Sequence, residues 1–262
     1  MSQQPVEVER VGHVLVIGVN RPEKRNAWNL AVIEAVAQAY RELHDDPQLR
    51  VGVVHGAGEH FSAGLDLAEV GPRVAEQGPG ALAGSTGVDP FGVWAEPVGK
   101  PVVLAVQGIA YTLSIELALA SDIVVAASDV RFCQLEIGRG ILPFGGATFR
   151  APAHLGWGNV MRFLLTAEEF GAEDALRIGL VQEVVAPGEQ LAAALRIAER
   201  IAQQAPLGVQ GTLANARIAR RDGVAAATEH LRELLPEVMA SDDAREGVMS
   251  FLERRQARFS GR

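Results

Sequence analysis

The stretch KPVVLAVQGIAYTLSIELALASDIVVAAS, Lys100–Ser128, decides the fold. It opens on a β-rich run at 102–106, turns near Gly108, passes through a Leu- and Ala-rich segment of helical character and ends in a second β-rich run at 123–127. Strand, helix, strand in this order predicts a crossover unit with parallel pairing. Inside the helical segment stands Glu116, between Ile115 and Leu117. An ionised carboxylate among apolar neighbours costs several kcal/mol unless it is paired, hydrogen-bonded or protonated. Either Glu116 points out of an amphipathic helix, or it has a partner.

Upstream the same alternation continues. VEVERVGHVLVIGVN (6–20) reads as a hairpin turning near Gly12, and WNLAVIEAVAQAYRELHDD (28–46) as a helix that Asn26 or Asn29 could cap. VGVVHGAG (51–58) supplies another strand ended by glycine. Downstream, from about Gly145, the pattern is mainly helical and only LVQEVV (180–185) interrupts it. Between Gly71 and Gly92 lie six Gly and three Pro with little periodicity. A loop of that length is either disordered or a cover over a site.

The 262 residues suffice for one large domain or a domain with an appended subdomain. The net charge of −8 argues against an extended nucleic-acid footprint. RPEKR (21–25) and ERRQAR (253–258) are local basic clusters, more simply solvated surface than phosphate sites. The polar N-terminus and the short apolar runs predict no signal peptide and no membrane span, which needs about 20 apolar residues. Cys133 is the only cysteine, so neither a disulfide nor a cysteine zinc site is expected; cytoplasm is the expected compartment.

Common motifs fail on single residues. GAGEHF and GRGILP begin like dinucleotide loops, but Phe61 and Pro143 occupy the third glycine position. His55 and His60 lack the helical spacing of a zinc pair. His60, Ser62 and Asp66 lie close in sequence, yet His60 stands where a nucleophile elbow needs glycine.

A second carboxylate meets the requirement of Glu116. Glu136, in LEIGRGILPFGGATFR (135–150), follows the strand that the Glu116 helix enters. By itself it could be a strand-end acid facing water. Together with FSAGLDL (61–67), KPVVLAVQG (100–108), ELALASDIVVA (116–126) and EEFGAEDALRIGLVQEVV (168–185), however, the chain closely resembles the crotonase superfamily, the enoyl-CoA hydratases and isomerases.

That resemblance implies an α/β fold, a ββα spiral over residues 1–195 that carries the acyl-CoA site, and a helical C-terminal oligomerisation region over 196–262. It implies a homotrimer or a dimer of trimers. The substrate would be an acyl-CoA thioester, with no cofactor beyond the coenzyme A of the substrate and no metal. Backbone N–H groups of Leu65 and Leu113 would hold the thioester carbonyl, and Arg25, Ala27, Ala63, Gly64, Asp66 and Leu67 would line the substrate. Glu116 and Glu136 match the two glutamates of the family's hydratases, with Glu116 the water-activating base and Glu136 the proton donor. Adding water across a conjugated double bond builds charge on the carbonyl oxygen, which fixed N–H donors stabilise, while one ionised and one protonated carboxyl move the protons.

Two departures from the family pattern bear on substrate range. Thr112-Leu113-Ser114 replaces a run of glycines, and the glycines of FGGA (144–147) are shifted by one. Leu113 is expected to narrow the acyl pocket. Alternatives to hydration are double-bond isomerisation, another crotonase-type reaction such as thioester hydrolysis, or a CoA-binding scaffold without turnover; products separate the first two from hydration, and turnover separates the last.

Overall fold

Alternation of buried residues organises the central sheet. In the computed structural model, which describes residues 4–262, the strands are β1 (Val6–Val11), β2 (Val14–Val19), β3 (Val51–Gly56), β4 (Val102–Val106), β6 (Ile123–Ala127) and β9 (Glu183–Val185). They form one sheet in the order β1-β2-β3-β4-β6-β9, with an antiparallel β1–β2 hairpin and parallel pairing elsewhere. Leu15, Ile17, Val54, Leu104, Val106 and Val124 point into the main core, while Val14, Val16, Val51, Val53, Val103 and Val125 fill a second core on the opposite face. Burial on both faces explains why these strands read as near-continuous apolar runs.

Short strands β5 (Ile109–Tyr111), β7 (Arg131–Cys133) and β8 (Phe170–Gly171) form a second sheet, β5-β7-β8. The chain passes from the large sheet to the small one and then into a helix at α3 (Leu113–Ala120), giving the repeating β–β–α unit of the expected spiral. Helix α1 (Leu30–Asp45) precedes β3, and Asn29 caps it by accepting from Val32 N at 3.1 Å. Asn26 is not the cap. It is buried in the left-handed region (φ 52°), and its amide donates to Ala57 O and His60 O, tying the loop to the end of β3.

The Gly/Pro-rich segment is partly helical. Helix α2 (Leu67–Gln77) continues through Gly71 and Pro72 and buries only Val70. The later part is pinned by Asp89, whose carboxylate accepts from the N–H groups of Phe91, Val93 and Trp94. Helices α4 (Ala147–Leu155), α5 (Trp157–Thr166) and α6 (Ala172–Ile178) lead to β9. Helix α7 (Gln190–Ala202) then lays Ala193, Ala194, Ala198 and Ala202 on the second core. The expected boundary at 195/196 falls within this helix.

Helices α8 (Pro206–Asp222), α9 (Val224–Ala240) and α10 (Asp242–Glu253) follow. They bury little of themselves: α8 buries Pro206 and α9 buries Ala227. Val224, Met239, Phe251 and Leu252 are each more than 60% exposed. No helix among the described residues is long and apolar enough to cross a membrane.

Candidate active site

Two glycine-bearing turns are stitched edge to edge. Ser62 N donates to Ile109 O, and Tyr111 N donates to Ser62 O, so residues 62 and 110 pair like parallel strands. The Ser62 hydroxyl donates to Asn26 O and accepts from Gly64 N, and Ser114 Oγ donates to Ser62 O. Gly64 adopts φ +103°, and a Cβ there would stand 2.1 Å from Thr112 Oγ1, so only glycine permits this approach.

Both residues expected to supply carbonyl-binding N–H groups, Leu65 and Leu113, line the resulting cavity. Leu65 bridges Trp28, with Trp28 N donating to Gly64 O and Asp66 N donating to Trp28 O. That pattern turns the N–H of Leu65 itself away from Trp28. Leu113 is the first residue of α3, so its N–H is among the donors a helix start leaves without an intrahelical acceptor. The residue before it, Thr112, takes φ 52°, a left-handed conformation at which the glycine of the family pattern is unstrained. Thr and Ser here are therefore not neutral fillers: Thr112 takes the turn conformation with strain that glycine would avoid, and Ser114 ties the two loops. Leu113 is 1% exposed, packs with the main core and also lines the cavity, so its side chain forms part of the inner wall.

The cavity, about 180 Å³, is lined chiefly by Leu65, Leu67, Leu135, Ile141 and Phe144, with Ala63, Thr112, Leu113, Glu116, Glu136 and Arg139. Glu116 thus does not point to water. It is 3% exposed, and its Oε1 accepts from Gly145 N at 2.7 Å and Ala147 N at 3.2 Å, at the start of α4. Gly145 makes that contact possible, because a Cβ there would lie 2.6 Å from Glu116 Oε2. Burial raises the Glu116 carboxyl above its ordinary range, against the pull of the Ala147 and Gly145 N–H groups and the Arg150 guanidinium.

Glu136 opens a short 3-10 helix, Glu136–Arg139, and is 7% exposed. Its Oε1 accepts from Gln134 Nε2 at 3.0 Å, while Oε2 is buried with no partner. Burial first, then the charge of Glu116, pushes its carboxyl up to about 7, opposed by its own N–H and by Gln134.

Of the other expected substrate residues, Ala63 and Leu67 line the cavity, while Gly64 lies behind it. Arg25 and Ala27, on the loop before α1, and Asp66, just before α2, lie outside the lining. Ala63 N donates to Arg25 O, and Arg21 binds both Ala27 O, at 2.6 Å, and Asp66 Oδ2, at 3.6 Å. Arg139 and Gly145 were not among the expected site residues. Arg139 stands three residues after Glu136, and the glycine pair in FGGA marked where the backbone approaches something closely. Among the described residues, no group of three or more His, Cys, Asp or Glu side chains could hold a metal.

Two buried carboxyls, together with Leu65 and Leu113, line one cavity between a β–β–α spiral turn and a 3-10 helix. The sequence model of the enoyl-CoA hydratase/isomerase family matches residues 9–262, and the chain belongs to this family, within the crotonase superfamily. It is 36% identical to a carnitinyl-CoA dehydratase of Salmonella arizonae over 98% of this chain and 99% of that protein. It is similar to a probable enoyl-CoA hydratase/isomerase from Mycobacterium abscessus (49% identity, TM-score 0.94, 98% of this chain and 99% of that one). It is also similar to an enoyl-CoA hydratase from Mycobacterium tuberculosis H37Rv (34% identity, TM-score 0.90, 99% of this chain and 100% of that one).

Proposed function

We propose that this crotonase-family enzyme reversibly adds water across the 2,3 double bond of a 2-enoyl-CoA thioester. The observation carrying this reading is the unequal pair of buried carboxyls in one cavity. Glu116 accepts two backbone N–H groups at a helix start, which favours its anion. Glu136 has one amide donor and an unpartnered oxygen, which favours its acid. Close like charges keep the pair at one proton.

In the hydration direction the thioester carbonyl accepts from Leu65 N–H and Leu113 N–H as enolate charge develops. Such donors are worth roughly 100- to 1,000-fold each. Glu116 takes a proton from water as the oxygen attacks the β-carbon, and Glu136 delivers its proton to the α-carbon. The dyad ends with the proton moved from one carboxyl to the other. The thioester runs past Ala63, Gly64 and Leu67, with Arg25, Ala27 and Asp66 on the loops that the CoA portion follows. No separate cofactor or metal enters this scheme.

Double-bond isomerisation can proceed with one carboxylate. A second buried carboxyl with an orphaned oxygen carries a desolvation cost that such a reaction leaves without purpose, which supports hydration. The carnitinyl-CoA named for one relative bears a trimethylammonium on its acyl group; the guanidinium of Arg139 in the cavity wall argues for a different acyl class here. The apolar surfaces of α9 and α10 support assembly as a homotrimer or dimer of trimers. The test is product identification with 2-enoyl-CoA and 3-enoyl-CoA thioesters: a gain of one water from the former supports hydration, and shift of the double bond without mass change would replace it with isomerisation.

A further inference from the structure

The cavity wall holds three ionisable side chains, Glu116, Glu136 and Arg139, and is otherwise largely apolar. Glu136 and Arg139 are the first and last residues of one 3-10 helix. With three residues per turn, side chains at i and i+3 eclipse, about 6 Å apart along the axis. Both residues therefore leave the same side of the turn, and both line the cavity. Glycines at 138 and 140 flank it, and a Cβ at either would meet nothing within 4 Å, so the space around this turn is open.

Arg139 is not occupied by protein. The ion pairs and side-chain hydrogen bonds of the described residues engage the neighbouring Arg131, Arg150 and Arg162 but not Arg139. The groups acting on the Glu136 carboxyl are Glu116, Gln134 and its own N–H, so the cation is not directed at its neighbour on the turn. A guanidinium matches a carboxylate in planar, two-bonded geometry. A positive charge in the wall also counters part of the repulsion that an anionic acyl group would meet from the dyad.

We infer that Arg139 is a specificity-determining residue that selects acyl groups bearing a carboxylate a few bonds beyond the reacting carbons, that is, enedioyl-CoA over enoyl-CoA thioesters. This rests on the hydratase reading for its chemistry but not for its binding. An anion at Arg139 could also be a phosphate of CoA, and the probes separate the two sources.

The experiment compares the full-length protein with Arg139→Met and Arg139→Lys on trans-2-hexenoyl-CoA and trans-2-hexenedioyl-CoA. Calorimetry of the saturated hexanoyl- and adipoyl-CoA runs alongside, together with the matching pantetheine thioesters, which lack the nucleotide phosphates. The expected result is a preference for the dicarboxylic series in the parent. That preference falls about 10- to 100-fold in Arg139→Met, the scale of one charge-assisted bond, is partly kept in Arg139→Lys, and persists in the pantetheine series. An equal weakening of both acyl series that vanishes with pantetheine thioesters would assign Arg139 to the phosphates and overturn the proposal. A parent with no dicarboxylic preference in binding would overturn it too. If neither enoyl thioester gains water while adipoyl-CoA still binds selectively through Arg139, the hydratase reading fails and this inference stands.

Discussion

The two walls of the cavity are built differently. The Glu116 wall is regular: a helix start, a cross-paired pair of turns and a carboxylate fixed by two N–H groups from α4. The Glu136 wall is one turn of 3-10 helix with an exposed cation and glycines around it. Their difference teaches where each property of the site resides. Fixed donors hold an anion in place, and such positions tolerate little change. On the proposed mechanism, the sparsely partnered acid on an open turn is the one that would carry the proton and leave room for substrate choice.

Removing either carboxyl is expected to have the largest effect. Glu116→Gln and Glu136→Gln should each lower the hydration rate by about 100- to 10,000-fold, the range of positioned acid–base groups, with acyl-CoA affinity largely kept. Stopped assays of product formation together with calorimetric binding check this. Loss confined to Glu136→Gln would make Glu116 merely structural and erase the contrast between the walls.

Gly145→Ala probes the fixed wall without touching a reacting group. The added methyl would press on Glu116 Oε2 at 2.6 Å, and displacement of a reacting group by about 1 Å can cost roughly 100-fold. Adding a methyl at Gly138, where nothing lies within 4 Å, should change the rate far less. Equal effects at the two glycines would mean that the walls are equally rigid.

The proton on the open wall sets the pH dependence. With Glu136 pushed up to about 7, hydration kcat/KM should fall about tenfold per unit once the pH rises past it, as the dyad loses its single proton. Stability follows the same group. A carboxyl raised in the folded state contributes fully below its unfolded value near 4.5, and that contribution is lost as pH rises through about 7. Glu136→Gln should therefore match the parent in thermal stability near pH 4.5 and exceed it by up to about 3 kcal/mol above pH 8. A stability gap independent of pH would remove the buried proton from the account.

Leu113→Gly sharpens the comparison at the smallest scale in function. Because Leu113 both packs in the core and lines the cavity, the variant should lose about 2–5 kcal/mol of stability and gain turnover on longer acyl chains relative to the four-carbon one. An unchanged chain-length profile would show that Leu113 does not shape the pocket.

Much of this was legible in the sequence. A Glu inside a Leu- and Ala-rich helix signalled either a solvent-facing side chain or a partner; Glu136, two strands further on, lines the same cavity, but the hydrogen bonds that hold Glu116 come from Gly145 and Ala147 N–H. The strands were readable because both faces of the sheet are buried. Other features were hidden, for reasons of distance in the chain. Asn26 resembles a helix cap locally, but its amide is taken up by carbonyls at 57 and 60. Gly71 and Pro72 read as loop, although α2, with only Val70 buried, runs through them. Thr112 and Ser114 looked like lost glycines until Gly64 and Ser62 were placed beside them. Arg139 gave no sequence signal of its own, since its meaning comes from the eclipsed geometry of a four-residue 3-10 turn.

The most direct test of the dyad is mass spectrometry of trans-2-enoyl-CoA thioesters, the dicarboxylic one included, incubated with the parent in 18O-labelled water. The account predicts a 3-hydroxyacyl-CoA carrying one labelled oxygen, formed by the parent and nearly absent with Glu116→Gln and Glu136→Gln. Labelled product formed at the parental rate by either variant, or an unlabelled isomer as the parent's product, would contradict it.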